Sequence, residues 1–447
     1  MEKQLKINPY LVLYPLKDGY VLAVNHAMEK GIKILNNRQT AFLDLLKNKH
    51  TISGLISVSG YPEDVVRKLL DIFKETEMIG IPGSFSSPDL PGKPGKIDFW
   101  MHTTEACTLK CPYCYIDKTN AGNISTDVLQ RFSDKILEAV KKYRLKEVSL
   151  RLSGGEPMLR FKQMKEFIPA FKAGIEAEDC QTNIGFLTNL TLLNDEILEF
   201  VLKENLFTSI SLDGCGKYHD ATRYFHDHQG SFSIVDKNIN RLIEAGHSRM
   251  ILMTVVSDRN MEGLPDFAHY LVEKNLPFRF SLVAGEKIDL NKLKAKLLQV
   301  YDIFEKYILE KNYRFTRNHR LDDLRFLKPS HFPCSAGFAS GGLFIDGNIY
   351  FCQQELGHGK VSGSVFDQEN LFEIIQKKRK WHTPLPDDCQ NCPYRYVCSG
   401  GCPLIRKNGK SPYCDLYKEL LPVIFRLIGL ERLQRVKKAV KTKSTFS

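Results

Sequence analysis

TTEACTLKCPYCYIDKT, residues 103–119, is the stretch that decides which chemistry this sequence supports. It places Cys107, Cys111 and Cys114 in a C-x3-C-x2-C run, with the aromatic Tyr113 directly before the third cysteine. Thiolates are the natural protein ligands of zinc and of iron–sulfur clusters. A closed structural zinc site takes four ligands, whereas this loop supplies three, so one coordination position is left open.

The composition limits the class of protein. The chain has 447 residues, twelve cysteines and a net charge of +11. No long apolar run or signal peptide is visible, so we expect a cytoplasmic protein without a membrane span. Thiols stay reduced in that compartment, and their clustered spacing indicates metal or iron–sulfur ligation instead of disulfides. The basic residues concentrate in the last segment without an interleaved aromatic motif, so nucleic acid is not an expected partner.

From residue 98 the pattern alternates between short apolar runs and amphipathic segments. This rhythm predicts a parallel sheet with helical crossovers, in which the chemistry lies at the carboxyl ends of the strands. The cysteine loop follows the first run and SGGEP follows the second, so both are expected at that end. The predicted strands are residues 97–104, 147–153, 182–189, 207–213, 249–256 and 278–283.

The rest of the chain divides by composition. Two apolar runs split by KDG predict a hairpin, Asn37 is a candidate helix cap, and PEDVVRKLLDIFKETEM predicts a helix. These features suggest a small winged-helix-like domain ahead of a linker rich in Pro, Gly and Ser. The predicted parts are a winged-helix-like domain at 1–82, the linker at 83–97, the α/β domain at 98–285, a helical connector at 286–333, a cysteine-rich domain at 334–418 and a basic helix at 419–447.

A second motif, Gly154-Gly155-Glu156-Pro157, follows the second predicted strand. Together with the cysteine loop and Tyr113, it resembles the radical S-adenosylmethionine (SAM) superfamily. The resemblance implies a partial (β/α)6 barrel whose three loop cysteines hold a [4Fe–4S] cluster, with SAM in the fourth position. Enzymes of this superfamily cleave SAM reductively to a 5′-deoxyadenosyl radical, which abstracts a hydrogen atom from the substrate.

The same resemblance suggests which residues bind SAM. Asn189, Ser211 and Asp213 become candidates for its ribose or methionine part, and Arg223 for its carboxylate. Glu156 is expected to accept a hydrogen bond from the methionine ammonium group, after glycines that allow a close backbone approach. The alternative is that Asn189 and Asp213 are ordinary turn residues and Arg223 a surface cation.

The second group of cysteines resembles the SPASM extension of radical SAM enzymes. The resemblance implies two auxiliary iron–sulfur clusters of the [4Fe–4S] type. The resemblance assigns to the distal cluster Cys389, Cys392, Cys398 and Cys414. It assigns to the nearer cluster Cys334, Cys352 and Cys402. A structural zinc ribbon is the alternative that C-x2-C alone would permit. Cys180 and Cys215 stand alone and are expected to be small core residues.

The nearer auxiliary cluster departs from the fully ligated pattern. No cysteine lies shortly before Cys334, so this cluster is expected to have an iron without a protein thiolate. A substrate group, a water molecule or a residue such as His331 would then complete the coordination.

SPASM enzymes mostly modify peptides or proteins, and the N-terminal domain resembles the PqqD-like peptide-recognition domain of enzymes that mature ribosomally made peptides. We therefore expect a precursor peptide whose leader adds a strand to the sheet edge, and an electron donor such as flavodoxin or ferredoxin. The expected modification is an intramolecular crosslink through a C–C, thioether or ether bond. Epimerisation or oxidative decarboxylation of the peptide remains open.

Two other functions compete with a crosslinking maturase. An anaerobic sulfatase maturase oxidises Cys or Ser to formylglycine, but that family carries an Asp as general base where this chain has Gln353. It also begins close to its radical loop, without a leading domain of this size. A non-enzymatic scaffold or an iron–sulfur electron carrier belongs to a different class, and the intact cysteine loop with GGE argues against it.

Overall fold

The N-terminal region is an antiparallel sheet with three helices. The computed structural model describes residues 5–48, 51–81, 83–90, 92–116, 118, 122–283, 287–377 and 384–444. The strands pair in the order β2-β3-β4, while β1 pairs with β5 in a separate ribbon. The elements are β1 (Lys6–Ile7), β2 (Leu11–Pro15), β3 (Val21–Asn25), β4 (Ile32–Leu35), α1 (Asn37–Leu45), α2 (Ile52–Ser59), α3 (Glu63–Glu75) and β5 (Ile79–Gly80). The predicted hairpin is β2–β3, with Leu11 opposite Asn25.

The cap of α1 lies one residue before the predicted position. Asn36, not Asn37, is the N-cap: its side chain accepts a hydrogen bond from the Gln39 backbone N–H. The Gln39 side chain in turn accepts one from the Asn36 N–H, which completes a capping box. Asn36 and Asn37 are equally good cap residues by type. Asn36 is the N-cap because Gln39, three residues after it, completes the capping box.

The centre of the molecule is a parallel sheet in which β6 to β11 lie side by side in chain order. All six predicted strands are present. Of the two lone cysteines, Cys180 is buried beside this sheet and Cys215 is half-buried. The elements are β6 (Lys96–Thr104), α4 (Thr126–Tyr143), β7 (Glu147–Gly154), α5 (Phe161–Glu176), β8 (Gln181–Thr188), α6 (Asp195–Lys203), β9 (Phe207–Ser211), α7 (Lys217–Asp220), α8 (Phe232–Glu244), β10 (Met250–Val256), α9 (Leu264–Lys274) and β11 (Phe278–Leu282). Short 3-10 turns follow β7 at Pro157–Arg160 and β10 at Met261–Gly263.

The sheet extends beyond the predicted α/β domain at both edges. The connector contains α10 (Leu290–Lys311), α11 (Phe315–Asn318) and β12 (His319–Leu321), and β12 pairs in parallel with β11. At the other edge β13 pairs in parallel with β6, followed by β14 and β15. The remaining elements before the last helix are β13 (Ser340–Leu343), β14 (Asn348–Tyr350), the 3-10 turn Gln353–Glu355, β15 (Gly363–Ser364), α12 (Leu371–Gln376), α13 (Asp387–Gln390) and α14 (Arg395–Cys398).

The cysteine-rich region therefore buries more core than its composition predicts. Leu343, Ile349, Leu371 and Ile374 are fully buried and belong to the same hydrophobic cluster as the strands of the central sheet. Its Gly-, Pro- and Cys-rich sequence has few long periodic segments, but its first strand, β13, pairs with β6 and is part of the central sheet.

A single long helix, α15 (Cys414–Ser444), closes the fold with Pro422 inside it. Its Phe425 ring stacks on Tyr14 of β2 with centroids 5.2 Å apart. A Cβ at Gly429 would lie 2.7 Å from Leu16 and 3.0 Å from Leu22, so the helix touches the N-terminal sheet closely. That sheet is thus fixed between α15 on one face and its own helices on the other. None of the described helices combines the length and apolarity needed to cross a membrane.

Candidate functional site

The cysteine loop, residues 105–116, lies at the carboxyl end of β6 and is held by the GGE motif after β7. Gly155 N–H donates to Thr104 O at 2.8 Å and Glu156 N–H donates to Ala106 O at 2.8 Å. A Cβ at Gly154 would meet Thr104 O at 2.2 Å, and one at Gly155 would meet Ala106 O at 2.0 Å. Only glycine permits this contact, so the two motifs form one backbone unit.

The three loop thiols are half-buried. Burial raises the pKa of Cys107 to about 11, while the Leu109 N–H and Lys118 lower it. Burial also raises the pKa of Cys111, against the lowering influence of Arg223 and Lys118. Burial therefore keeps these two thiols protonated in the absence of a ligand, and the nearby cations Arg223 and Lys118 would offset part of the negative charge of a thiolate-bound cluster.

Glu156 is fully buried and its carboxylate is bonded to the protein. Its Oε1 accepts from Thr188 Oγ1 at 2.7 Å and from Met158 N–H at 3.1 Å, and its Oε2 accepts from Asn189 N–H at 2.8 Å. Burial raises the pKa of this carboxyl to about 7, although the hydrogen bonds lower it. The geometry makes Glu156 a brace between β7 and β8; its predicted bond to the SAM ammonium stays a prediction.

Asn189 joins this brace to the cysteine loop. Its Nδ2 donates to Cys107 Sγ at 3.6 Å and to Thr108 Oγ1 at 3.0 Å, while its Oδ1 accepts from the Thr191 N–H at 3.0 Å. The Asn189 side chain therefore supports the cysteine loop and lies next to its first thiol.

Tyr113, Asp213 and Arg223 form one buried network. The Asp213 carboxylate accepts from Tyr113 Oη, from Arg223 Nε at 2.9 Å and from Thr222 Oγ1 at 3.1 Å. Burial alone would lower the pKa of Arg223, but Asp213 raises it above its usual value. The guanidinium also lies 5.5 Å from the Tyr113 ring centroid. Arg223 is thus a buried cation, not a surface one.

Ser211 is the remaining predicted SAM contact, and it ends β9 with a half-buried side chain. Sequence reasoning did not identify the supporting residues around this site. Thr188 bonds Glu156, and Asn260 Nδ2 donates to Asp213 O at 2.8 Å. Lys118 Nζ donates to Leu109 O at 2.8 Å within the cysteine loop. Their only signal in the sequence is a polar residue at a strand or loop end.

The C-terminal cysteines fall into two groups in space. We call Cys334, Cys352 and Cys402 the near set. Burial raises the pKa of Cys352, and the thiolates of Cys334 and Cys402 raise it further. Burial likewise raises the pKa of Cys334 to about 11, and Asp323 and Cys402 add to this. Cys334 and Cys352 belong to one small hydrophobic cluster, and Cys402 is close enough to affect the pKa of both.

The distal set consists of Cys389, Cys392, Cys398 and Cys414. Burial raises the pKa of Cys398 to about 12, and the thiolates of Cys414, Cys389 and Cys392 contribute. These are the four cysteines that the resemblance placed on one cluster. Within the described part of the chain, no three or more His, Cys, Asp or Glu side chains converge on a single metal ion. Each thiolate of an iron–sulfur cluster binds a separate iron.

Among the described residues, His331 makes no hydrogen bond to a cysteine of the near set. Its Nε2 is 2.7 Å from Pro88 O, and its ring packs edge-on against Tyr396. It lines a cavity of about 300 Å³ between the linker and the cysteine-rich region, together with Arg395 and Arg406. The Asp323 carboxylate raises the pKa of both Cys334 and Cys402, and it pairs with Arg279 at 2.8 Å.

Tyr115 connects the cysteine loop with the near set. Its Oη lies 3.4 Å from His102 Nε2 and donates to Gln353 O at 3.4 Å. Gln353 follows Cys352, and its Oε1 accepts from the Cys352 thiol at 3.6 Å. The position at which the sulfatase-maturase pattern carries a carboxylate is thus an amide in contact with the Cys352 thiol.

Comparison with known proteins agrees with this site. The model of the radical SAM superfamily matches residues 101–271. The serine-type anaerobic sulfatase-maturating enzyme of Bacteroides thetaiotaomicron is 25% identical over 340 residues, with 66% of this chain and 80% of the relative covered. The mycofactocin maturase MftC of Mycobacterium ulcerans is 24% identical over 321 residues, with 67% of this chain and 80% of the relative covered. The radical SAM cyclopropyl synthase TigE of Paramaledivibacter caminithermalis is 22% identical over 358 residues, covering 73% and 72%.

A solved structure shares the fold. Native anSMEcpe with bound AdoMet and Cp18Cys peptide superposes with a TM-score of 0.63 at 19% identity, covering 75% of this chain and 99% of that one. The shared fold, the matched family region and the GGE-braced cysteine loop lead to one conclusion. The chain carries a radical SAM region at residues 101–271 and is a SAM-dependent enzyme.

Proposed function

We propose that this enzyme matures a ribosomally made precursor peptide by installing an intramolecular crosslink. The observation that carries the proposal is a small β-sheet module with an unpaired edge, fixed to the same body as the braced cysteine loop. When bound, the cluster and SAM supply a 5′-deoxyadenosyl radical that takes a hydrogen atom from the peptide. The chain's own residues hold, orient and shield that chemistry.

At the radical site, Cys107, Cys111 and Cys114 would ligate the cluster. Asn189 and Ser211 would face SAM from the ends of β8 and β9. The network of Tyr113, Asp213 and Arg223 would set the electrostatics at the methionine end, because Arg223 keeps a positive charge close to Cys111. Burial of these groups keeps water from quenching a radical.

The two cysteine sets would ligate auxiliary [4Fe–4S] clusters. Four thiols in the distal set satisfy a cluster completely, whereas three in the near set leave one iron for another group. Asp323 is an oxygen donor beside Cys334 and Cys402, and a substrate group or water is the alternative. His331 is the weaker choice, because its Nε2 is already bonded to Pro88 O.

The leader would add to β4. The other edge strand is β2. His26 N–H donates to Tyr10 O, so Tyr10 and every second residue after it bond to β3. Pro15 therefore lies at a position that faces away from β3, and it has no N–H to donate there. Along β4, Asn25 N–H donates to Gly31 O, so the amides of Ile32 and Ile34 point away from β3. Within the described residues no strand pairs with them, so β4 is the better template for strand addition.

The main experiment is co-production with a candidate precursor encoded beside this gene, under anaerobic reducing conditions with SAM. A crosslink lowers the peptide mass by two hydrogens and places the change within one fragment by tandem mass spectrometry. The Cys107→Ala variant is the control. An unchanged peptide with active wild-type enzyme, judged by 5′-deoxyadenosine release, contradicts the proposal for that pair.

The leader site has its own prediction. Ile34→Pro removes one outward N–H, and the loss of a backbone hydrogen bond of about 1–1.5 kcal/mol weakens leader binding by about tenfold. Fluorescence anisotropy with a labelled leader measures it. Ile34→Val keeps the amide at the same position and is expected to bind as the wild type does. Equal affinity for both variants would move the leader away from β4.

Formylglycine formation is the second candidate, favoured by the similarity to sulfatase-maturating enzymes. Gln353 argues against it, because an amide does not accept a proton at neutral pH. An aldehyde product reacts with a hydroxylamine probe and a crosslink does not. Probe labelling of a sulfatase-derived Cys or Ser peptide would select this function.

A further inference from the structure

The loop between the two cysteine sets surrounds one cation. Residues 399–401 connect Cys398 of the distal set to Cys402 of the near set. Ser399, Gly400 and Gly401 all have positive φ, of 51°, 74° and 75°. Such a run turns successive carbonyls toward one side, which glycine allows without strain.

Those carbonyls converge on Arg406. Its Nη2 donates to Ser399 O at 2.7 Å, and its Nε donates to Gly400 O at 3.1 Å and Gly401 O at 3.2 Å. A Cβ at Gly400 would lie 3.1 Å from the guanidinium. Three hydrogen bonds and this close approach fix the guanidinium in the turn between the two sets.

The charge of Arg406 faces both sets. Burial lowers the pKa of Arg406, whereas the thiolates of Cys398, Cys402, Cys389 and Cys334 raise it. Two of these cysteines belong to each set. In the part of the chain that the structure describes, no carboxylate forms an ion pair with this arginine, so thiolates that ligate clusters in the two sets would be its counter-charge.

Other cations stand beside one set only. Arg325 is close to Cys334 of the near set. Lys410 and Lys418 are close to Cys414 of the distal set. Arg406 differs from them in position, because its hydrogen bonds hold it in the turn between the two sets, which would both carry negative charge once clusters are bound.

We propose that Arg406 is a positioning residue that fixes the turn between the auxiliary sites and supplies a positive charge shared by both clusters. This inference rests on the proposed function, since it requires that both sets hold clusters. A shared cation stabilises the reduced, more negative state of each cluster, and so raises both reduction potentials. It also weakens the repulsion between the two clusters when both are reduced.

The test is an EPR-monitored redox titration of the auxiliary clusters. The background is the Cys107/Cys111/Cys114→Ala variant, in which only the auxiliary clusters contribute a signal. We expect Arg406→Gln to lower the reduced-to-oxidised ratio of both clusters about tenfold at a fixed potential, equivalent to about 59 mV for one electron. Lys407→Gln removes the same charge from the next, exposed residue and is expected to leave both potentials unchanged.

Iron content separates the possible failures. A background protein without auxiliary iron overturns the cluster assignment and this inference together. A full iron content with unshifted potentials in Arg406→Gln overturns this inference alone. If Arg406→Gln loses iron, the Arg406→Lys variant is measured instead, because lysine keeps the positive charge without the planar guanidinium donors. Reduction potentials close to those of the wild type would support the shared charge. A shift as large as that expected for Arg406→Gln would refute it.

Discussion

The two three-cysteine sites of this enzyme are built in opposite ways. Cys107, Cys111 and Cys114 lie on one loop, whose backbone is bonded to the GGE motif and whose first thiol is touched by Asn189. Cys334, Cys352 and Cys402 come from separate segments that meet only in the folded chain. The first site is therefore shaped by local contacts, and the second depends on tertiary structure around it. Local construction suits a site that must accept and release SAM at every turnover.

The largest expected effect comes from substituting one cysteine in each of the two three-cysteine sites separately. Cys111→Ala removes a radical-cluster ligand and is expected to abolish 5′-deoxyadenosine formation. Cys402→Ala removes a near-set ligand and is expected to lower iron content while SAM cleavage persists. Iron analysis and chromatography of the nucleoside products measure both. Loss of SAM cleavage in both variants would show that the near set supports the radical site structurally.

A smaller effect tests the contact that shapes the cysteine loop. Gly155→Ala places a Cβ 2.0 Å from Ala106 O. About 2 kcal/mol of overpacking strain would lower SAM cleavage by about thirtyfold. Gly174→Ala in α5 is the matched control, because no atom lies within 4 Å of its added Cβ. Retained cleavage in Gly155→Ala would mean that the loop does not need this approach.

The smallest effect concerns β12 in the connector. His319 on β12 is buried, its ring stacks on Phe315 at 4.6 Å, and burial lowers its pKa to about 3. The unfolded chain takes a proton below pH 6.5 and the folded chain does not, so stability falls with pH from about 6.5 down to about 3. Between pH 7 and pH 5.5, His319 by itself is expected to lower the free energy of unfolding by about 1 kcal/mol.

Denaturant unfolding at the two pH values measures this loss. His319→Phe keeps the aromatic packing without a titrating group, and its stability is expected to change less over the same interval. An equal pH dependence in the variant would assign the effect to other groups, of which buried His26 is one, with its pKa also lowered to about 3.

Much of this arrangement is predictable from sequence, because it is local. The strands of the central sheet follow from apolar periodicity, and the radical loop from its cysteine spacing. The partners of Glu156 and Asp213 were not predictable, since carboxylates suited to a ligand also suit buried protein donors from distant strands. The pairing of β13 with β6 was also missed, because four residues, SGGL, carry no strand periodicity. Contacts between distant segments decide all three cases.

The clamp of α15 on the N-terminal sheet has a consequence for substrate choice. Phe425 stacks on Tyr14 and Gly429 lies close to Leu16 and Leu22, so α15 joins that sheet to α10 of the connector, which it also contacts. If β4 holds the leader, the path from leader to radical has a fixed length. The enzyme would then act as a molecular ruler, selecting the modified residue by its count from the leader and not by its neighbours. Lengthening the peptide between them would shift the modification along the chain.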